Sequence, residues 1–557
     1  MKVSEIPYER PDVDQLIKGA DEFCKAFNRA RSAKTQYALL MDYFRKNEMA
    51  DTMFSLAYIR YSQNTKDEFY KAENDFMDEN MPRLSVSQNK VSKTVLKSRY
   101  LDELKTMIPP VWFKNLEIDA AAMDRKILAL SVKDRKKSSA YSELMSGLTV
   151  KFRGETLTPA GLGKYYQNPN RSIRKGAFTA YGKLLRKNGK KLDKIYADMV
   201  KIRTEMGKKM GYENYIPLGY LRMGRNCYDA NDVARLRANI LKYIVPLATK
   251  IRNKQKETLK VDQLYLYDKE MFTRKEPKPV LSVDEIFSEG IKMYDALNPE
   301  TGKLMHLMVD SEAFDVLARE GKWGGGYCTE LAAYKLPFIL ANFNGSADDL
   351  GTLTHEFGHA LAAYESFNIP YPMLRQGGME TCEVHSMSME LFTYPYMKPF
   401  FGKNINEYYT AHLSSAVTFL PYGTLVDAFQ HEAYAHPDMT PAERNRTWLR
   451  LWNEFLPDIS LEGIPGMEDG RQWQRQAHIF ESPFYYIDYV IAQITALEFF
   501  ALSGKDYDKA FATYLEFLKK GGTDSYLGLV KAAGLKSPFE EETFPEICRA
   551  VEEKLGL

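Results

Sequence analysis

The chain of 557 residues is poor in cysteine. Its five cysteines are scattered along the sequence, odd in number, and form no C-x-x-C pair. This usage supports neither a disulfide framework nor a zinc site built from thiolates. It fits a reducing compartment best, so we expect a cytoplasmic protein.

Two further features are missing, a net charge of one sign and a long hydrophobic run. The 76 basic residues stand against 74 acidic ones, so no nucleic-acid partner is expected. The N-terminus becomes charged before an apolar run can form, which excludes a signal peptide of the usual design. The longest apolar segment, 489–502, is interrupted by Gln493 and Glu498. It is too short to cross a bilayer, so no membrane partner is expected either.

What the sequence does contain is mostly helical periodicity. Apolar residues recur every three or four positions in segments such as 233–244 and 506–519, which predicts amphipathic helices and a mainly α fold. Strand patterns are confined to a few places, notably 148–157, with a turn at Arg153 and Gly154, and 324–343.

The length predicts roughly two to four packed units. A loop-rich zone at 156–174, with two prolines and two glycines, separates helical blocks. We therefore divide the chain into an N-terminal helical region, 1–195, and a catalytic region, 196–557.

The segment 346–366 carries the pattern H-E-x-x-H. A helix is predicted to begin near Ser346, a favoured N-cap residue, because Asp348 and Asp349 then place negative charge in its first turn. On that helix His355 and His359 lie one turn apart, so both imidazoles can reach one metal ion. The glutamate between them, at position 356, can contact a water bound to the ion.

The position of the two histidines on the helix argues against a purely structural role. They lie nearly opposite an apolar stripe and therefore face a cleft or solvent rather than the packing side. That stripe comprises Leu350, Leu353, Phe357, Leu361 and Tyr364.

Catalytic zinc needs a third protein ligand and an open fourth position. Downstream, 379–392 reads as a second helix, ended by Pro395. Its glutamates at 380, 383 and 390 lie near one side. From the residues alone, any of them could be the ligand, and a solvated charged face is the alternative.

These two segments resemble family M3 of the metallopeptidases, which includes thimet oligopeptidase and oligoendopeptidase F. His-Glu-Phe-Gly-His at 355–359 is followed by Glu-Val-His-Ser-Met-Ser-Met-Glu at 383–390, which is most similar to the oligoendopeptidase F branch. The resemblance implies Glu383 as the third ligand of one Zn²⁺ per chain. Glu380, Glu390 and His385 are then expected around the ligands rather than on the metal.

Two other segments also look like this family. His478 with Tyr486 and Tyr489 resembles the groups that bind the substrate carbonyl and its developing oxyanion, and Tyr485 stays open as an alternative tyrosine. Gly325, Gly326 and Tyr327 precede a predicted strand. In the family, this part of the chain forms an edge strand along which a peptide lies. Tyr485 joins these three residues as an expected substrate contact.

The resemblance implies a large helical fold with a small β-sheet near the zinc site and a deep central substrate channel. The expected function is hydrolysis of internal bonds in short peptides by metal-activated water, with Glu356 as general base. The alternatives are a zinc carboxypeptidase of a related helical fold and an inactive peptide-binding relative. A monomer and a small homo-oligomer both remain open.

Overall fold

The computed structural model describes all residues, 1–557, and helices predominate in it, as the sequence periodicity predicted. The α-helices are α1 Val13–Arg29, α2 Ala33–Gln63, α3 Glu68–Leu96, α4 Leu101–Met107, α5 Pro110–Ala122, α6 Arg125–Ser146, α7 Arg171–Lys209, α8 Ile216–Arg222, α9 Ala230–Asn239, α10 Val245–Leu259, α11 Val283–Leu297, α12 Pro299–Asp310, α13 Ala347–Ser366, α14 Met379–Phe392, α15 Lys398–Phe401, α16 Ile405–Ala435, α17 Pro441–Phe455, α18 Ala477–Glu481, α19 Tyr486–Ser503, α20 Tyr507–Lys519, α21 Tyr526–Ala532 and α22 Phe544–Leu555. The strands are β1 Val150–Phe152, β2 Glu155–Leu157, β3 Leu264–Tyr265, β4 Phe314–Leu317, β5 Tyr327–Leu331, β6 Leu336–Phe343 and β7 Ile459–Ser460.

The elements predicted from local pattern are present. The segment 506–519 forms α20, with Asp506 as the N-cap residue, and 233–244 forms α9 followed by a π-helical turn, Ile240–Ile244. Strands β1 and β2 form an antiparallel hairpin. Its turn places Arg153 at φ 51° and Gly154 at φ 85°. Two residues in the left-handed region match the turn that a tight hairpin requires.

Two compact units divide the chain, and both are discontinuous. Unit 1 comprises 1–120, 278–403 and 502–535, and unit 2 comprises 121–277, 404–501 and 536–557. The predicted boundary after residue 195 lies within helix α7, inside unit 2. The two compact units therefore have different boundaries from the regions 1–195 and 196–557. That division stays a prediction.

In unit 1, a three-stranded sheet packs against helix α13. Strand β6 is central, pairing in parallel with β4 and antiparallel with β5. Its residues Phe338 to Ala341 are fully buried, as expected for the middle strand of a covered sheet. Strand β5 lies at the sheet edge. The small sheet predicted near the helix that carries the H-E-x-x-H pattern, α13, is thus confirmed.

In unit 2, the apolar segment 489–502 belongs to α19. This helix has 18 residues and is therefore longer than the apolar segment 489–502. By length and composition alone it could cross a membrane. However, 72% of it is buried within the protein. A helix that is apolar on all sides and packed inside the fold is typical of a core helix.

Candidate metal centre

A single carboxylate fixes the start of helix α13. Asp349 accepts hydrogen bonds from the backbone N–H groups of Asn344, at 3.0 Å, and Gly345, at 2.6 Å. Ser346 occupies the N-cap position as predicted, but its side chain makes no capping hydrogen bond and its hydroxyl is buried. Asp349 rather than Ser346 therefore stabilises the start of the helix, because its carboxylate accepts from the backbone N–H groups of the turn between β6 and α13.

The two faces of α13 differ as predicted. Of the predicted stripe, Leu350, Leu353, Phe357 and Leu361 are fully buried, whereas Tyr364 is half-buried. The Phe357 ring stacks on Tyr294 of α11 at a centroid distance of 3.7 Å. On the other side, the side chains of His355 and His359 are 27% and 23% exposed to solvent. The histidines therefore line an accessible face of the helix.

His355, His359 and Glu383 converge on one point. One ligand atom from each lies within 4.8 Å of the others. Nε2 of His355 is 3.5 Å from Oε2 of Glu383, and Nε2 of His359 is 4.0 Å from the same oxygen. A tetrahedral ion with ligand bonds of about 2.1 Å separates its ligand atoms by roughly 3.4 Å. The three side chains could therefore hold a metal ion after small movements.

Glu390 orients His355. Nδ1 of His355 lies 2.7 Å from Oε1 of Glu390, so Nδ1–H donates to the carboxylate and Nε2 points toward the other ligand atoms. Burial acts to lower the pKa of His355. The hydrogen bond to Glu390 and the nearby carboxylate charges outweigh burial and raise this pKa to about 9. A cation bound at Nε2 would replace that proton.

The other two members of the cluster have different environments. Burial, together with the positive charge of His355, holds the pKa of His359 well below its usual value, so its imidazole is neutral, as a ligand must be. Glu383 accepts a hydrogen bond from the Ser386 hydroxyl at 3.3 Å. This bond restrains the carboxylate oxygen that faces both histidines.

Glu356 lies between the histidines but is not one of the three convergent residues. Its side chain is buried, and burial, with the charge of Glu383, raises the pKa of its carboxyl to about 7. The backbone N–H of Cys328 acts in the opposite direction by hydrogen bonding to the carboxylate. A Cβ atom on Gly326 would lie 3.8 Å from Oε1 of Glu356, an ordinary contact distance. The chain leading into β5 therefore lies beside this carboxylate.

A second glycine lets α14 approach α13. A Cβ atom on Gly358 would lie 2.5 Å from the carbonyl oxygen of His385 and 2.7 Å from Cα of Ser386. The same carbonyl accepts a 2.7 Å hydrogen bond from the Tyr514 hydroxyl of α20. Helix α14 is thus held against α13 at the turn that follows Glu383.

We expect Gly358→Ala to destabilise the fold by about 1–3 kcal/mol, because the added methyl meets backbone that α20 holds in place. Gly351→Ala is the matched control on the same helix, since a Cβ atom there meets nothing within 4 Å. It should stabilise the protein by about 0.5–1 kcal/mol, the usual helix preference for alanine. Thermal unfolding of both variants measures the difference. Equal shifts would show that the close approach at Gly358 has no energetic consequence.

His385 and Glu380 lie near the cluster without joining it. The imidazole of His385 is buried against Phe517, at a centroid distance of 5.9 Å, and its Nε2 has no hydrogen-bond partner. Burial lowers its pKa to about 3, so it is neutral. The Glu380 carboxylate is buried beside Gly378 at the first turn of α14.

The predicted substrate segment lies at the sheet edge. Gly325 and Gly326 lead into β5, and the Asn342 side chain donates to the carbonyl of Gly325 at 2.7 Å. The hydroxyl of Tyr327 is buried, and its ring packs against Tyr58 at 5.2 Å and Trp323 at 5.9 Å. Any contact between Tyr327 and a substrate would therefore involve its backbone. Gly325, Gly326 and Tyr327 remain predicted substrate contacts.

His478, Tyr485, Tyr486 and Tyr489 lie together in unit 2. The His478 ring is 4.8 Å from the Tyr486 ring, 5.9 Å from that of Tyr485 and 6.0 Å from that of Tyr489. The spacing of Tyr486 and Tyr489 at the start of α19 brings their rings within 5.7 Å of each other. The sequence thus identified a real aromatic cluster around one histidine.

Gln476 determines which nitrogen of His478 carries the proton. The Gln476 side-chain oxygen accepts from the Tyr422 hydroxyl at 2.9 Å, so its amide nitrogen faces Nδ1 of His478, also at 2.9 Å. An amide nitrogen can only donate, so Nδ1 accepts and Nε2 carries the hydrogen. Burial lowers the pKa of His478, which favours this neutral form. His478 therefore offers a neutral N–H donor.

Several supporting residues were not identified from the sequence. Ser386 follows Glu383 by three positions, a helical spacing that could have indicated its hydrogen bond to that side chain. Asp349 was identified only as a negative charge in the first turn, although its partners Gly345 and Asn344 lie four and five positions before it. Gly358 and Gln476 gave no such signal, because their partners His385 and Tyr422 lie far along the chain.

Two family profiles match the chain. The profile described as "Peptidase M3 N-terminal domain" matches residues 3–123, and the one described as "Peptidase family M3" matches residues 164–547. Together they include every residue of the candidate metal centre.

Individual proteins also match over most of their length. The solved structure of PZ peptidase A with inhibitor 2 is 37% identical, with a TM-score of 0.91, and the match covers 100% of this chain and 99% of that one. Oligopeptidase PepF of Bacillus subtilis (strain 168) is 22% identical over 94% of this chain and 81% of its own length. The chromosomal oligoendopeptidase F of Lactococcus lactis subsp. cremoris is 24% identical over 72% of this chain and 68% of its own length.

Proposed function

The chain belongs to peptidase family M3, and we propose that it is a zinc-dependent endopeptidase that cuts internal bonds of short oligopeptides. One observation carries this proposal. Ligand atoms of His355, His359 and Glu383 converge within 4.8 Å, and the carboxylate of Glu356 lies on the same helix as both histidines.

The ligand set fits zinc. Two imidazoles and one carboxylate, with the Glu390 carboxylate behind one imidazole, are a donor combination typical of catalytic zinc in peptidases. Zinc at such a site would supply Lewis acidity, which would lower the pKa of a coordinated water to about 7. We assign the three ligand positions to His355, His359 and Glu383, with one ion per chain.

Glu356 is the proposed general base. Its carboxylate takes a proton from the attacking water and can return it to the amine of the leaving peptide. The Cys328 N–H restrains the carboxylate from the β5 side. Because Glu356 is not among the three convergent ligand residues, its oxygens remain available for proton transfer.

We assign carbonyl and oxyanion binding to His478 with Tyr486 or Tyr489. The neutral Nε2–H of His478 and the tyrosine hydroxyls are donors, which is what a developing oxyanion requires. The buried environment of Tyr486 raises the pKa of its hydroxyl, so it stays protonated and able to donate at neutral pH.

We expect Tyr489→Phe to keep the fold and substrate binding but to lower kcat by about 10²–10³-fold, the usual cost of one oxyanion donor. Tyr486→Phe and Tyr485→Phe, assayed in parallel, identify which hydroxyl contributes. Tyr165→Phe is the control, because that hydroxyl bonds Glu155 on the surface of the same unit. An unchanged kcat for Tyr489→Phe removes this tyrosine from the mechanism.

Strand β5 is the proposed peptide-binding edge. An edge strand offers N–H and C=O groups that can pair with an extended peptide, and the chain at Gly326 lies beside Glu356. The names of the matching oligopeptidases support short peptides as substrates. A deep substrate channel, as in the family, is part of this proposal.

Two substrates test the proposed specificity. A bradykinin-sized peptide should be cut at internal bonds, whether or not both of its ends are chemically blocked, whereas intact casein should be cleaved slowly. Mass spectrometry identifies the products. Failure to cut the doubly blocked peptide while the unblocked one is shortened from its C-terminus would favour the carboxypeptidase alternative, and rapid cleavage of casein would contradict the size limit.

The remaining alternative is an inactive peptide-binding relative, against which the retention of Glu356 argues. All five cysteines are free thiols, which supports a cytoplasmic location as part of the proposal.

A further inference from the structure

A recess among the N-terminal helices of unit 1 takes no part in the metal centre. It lies between α1, α2, α3 and α5 and has a volume of about 230 Å³. One water needs about 10–15 Å³ of such space, so the recess has room for a ligand of roughly 10–15 non-hydrogen atoms.

Aromatic side chains form much of its wall. Tyr43, Phe44 and Phe54 come from α2, and Trp112 comes from α5, with aliphatic side chains of α1 and α3 completing the wall. Trp112 and Phe44 meet edge to face, with centroids 6.2 Å apart. Such a wall suits an aromatic or aliphatic group, and its ring faces also attract cations.

Asp51 is the only charged residue that lines the recess. Its carboxylate has no ion-pair or hydrogen-bond partner within the chain. Asp51 is exposed to solvent. The charged group that acts on its carboxylate is the acidic Glu48, which supplies no cation. Arg375 is paired with Glu48 at 2.5 Å, and Lys46 of α2 is paired with Asp42 at 2.7 Å. The carboxylate is therefore accessible to a cationic ligand from solvent, and no cation of the chain pairs with it.

The other polar residues that line the recess are Asn47, Ser87, Gln88 and Ser92. Ser87 of α3 lines the recess, and its buried hydroxyl has no hydrogen-bond partner. Asn47, one helical turn from Asp51, hydrogen-bonds the Tyr43 side chain. Polar groups of α2 and α3, with Asp51 as the one charged group among them, thus line the recess together with apolar and aromatic side chains. A ligand that complements this lining has one cationic polar end and an apolar body.

We propose that this recess binds a small organic ammonium ion that carries an aromatic or other apolar group. The ammonium pairs with Asp51, and the apolar group lies among Tyr43, Phe44, Phe54 and Trp112. Two sources share this chemistry, a free amine and the N-terminal residue of a peptide. The proposal does not depend on the peptidase function, because no residue of the recess belongs to the metal centre.

Isothermal titration of the whole protein tests the proposal with three probes: phenethylamine, L-phenylalaninamide and N-acetyl-L-phenylalaninamide. We expect saturable binding of the first two with Kd on the order of 1 mM or tighter. Acetylation removes the charge and should weaken binding at least tenfold, as should Asp51→Asn, because a charge-assisted hydrogen bond is lost. Tighter binding of phenethylamine indicates a free amine as the source, and tighter binding of the amide indicates a peptide N-terminus.

Two variants control the location of binding. Asp75→Asn changes an exposed carboxylate of α3 that lines neither this recess nor the pocket beside it, so it should bind the probes like the wild type. Glu356→Gln should also bind them normally, which separates this site from peptidase activity. Trp112 provides a fluorescence signal that Trp112→Phe should remove. The proposal is overturned if no probe saturates, if the acetylated probe binds as tightly as the free amide, or if Asp51→Asn leaves the Kd unchanged.

Discussion

Replacing Glu356 with glutamine is expected to lower kcat by about 10²–10⁴-fold, the usual contribution of a general base. The amide keeps the size of the side chain but cannot accept the proton of the attacking water. His355, His359 and Glu383 are unchanged by this substitution, so metal content should stay at the wild-type value. The measurement is kcat on an internally quenched peptide, together with metal analysis of the same preparation.

Glu365→Gln is the matched control for this variant. Glu365 lies on the same helix, is 5% exposed, and has a raised pKa caused mainly by burial, so its carboxyl also tolerates loss of charge. It should retain wild-type kcat. Wild-type turnover by Glu356→Gln would show that proton transfer uses another group, and equal losses in both variants would indicate a general structural effect.

Replacing Glu383 with alanine is expected to abolish stable metal binding and, with it, activity. Loss of an outer partner of a ligand typically costs about 10–100-fold in metal affinity, and loss of a ligand itself must cost more. Glu390→Gln supplies the intermediate case, because it removes only the carboxylate that orients His355. The predicted order of metal affinity is therefore wild type, then Glu390→Gln, then Glu383→Ala.

Glu516→Gln serves as the control for the metal titrations. Its side chain on α20 is 70% exposed and pairs only with Lys519 among the ion pairs of that helix. It should bind metal like the wild type. If Glu383→Ala binds metal as tightly as Glu516→Gln, Glu383 is not a ligand.

The metal-binding helix could be predicted because its information is local. Two histidines four apart, an apolar stripe opposite them and acidic residues in the first turn all act within α13, and all are present in the structure. Helix α14 was predicted from its own residues, but the choice of Glu383 among three glutamates needed the family resemblance. Geometry now distinguishes them, because only Glu383 joins the histidine pair, whereas Glu390 bonds His355 from behind.

What could not be predicted depends on contacts between distant segments. The approach of α14 to Gly358 requires the backbone of His385. The proton position on His478 depends on the bond from Tyr422 that orients Gln476, a partner far along the chain. The discontinuous units have the same origin, since each is assembled from three separated stretches of chain. The recess around Asp51 likewise forms only when α1, α2, α3 and α5 pack together.

The most direct test of the central claim measures bound metal and peptide cleavage in one preparation before and after chelation. We predict about one zinc per chain, loss of cleavage when a chelator removes it, and recovery of cleavage when one equivalent of zinc is added back. A metal-free preparation that cleaves the peptide at the same rate would contradict the claim, as would a chelated protein that zinc cannot restore.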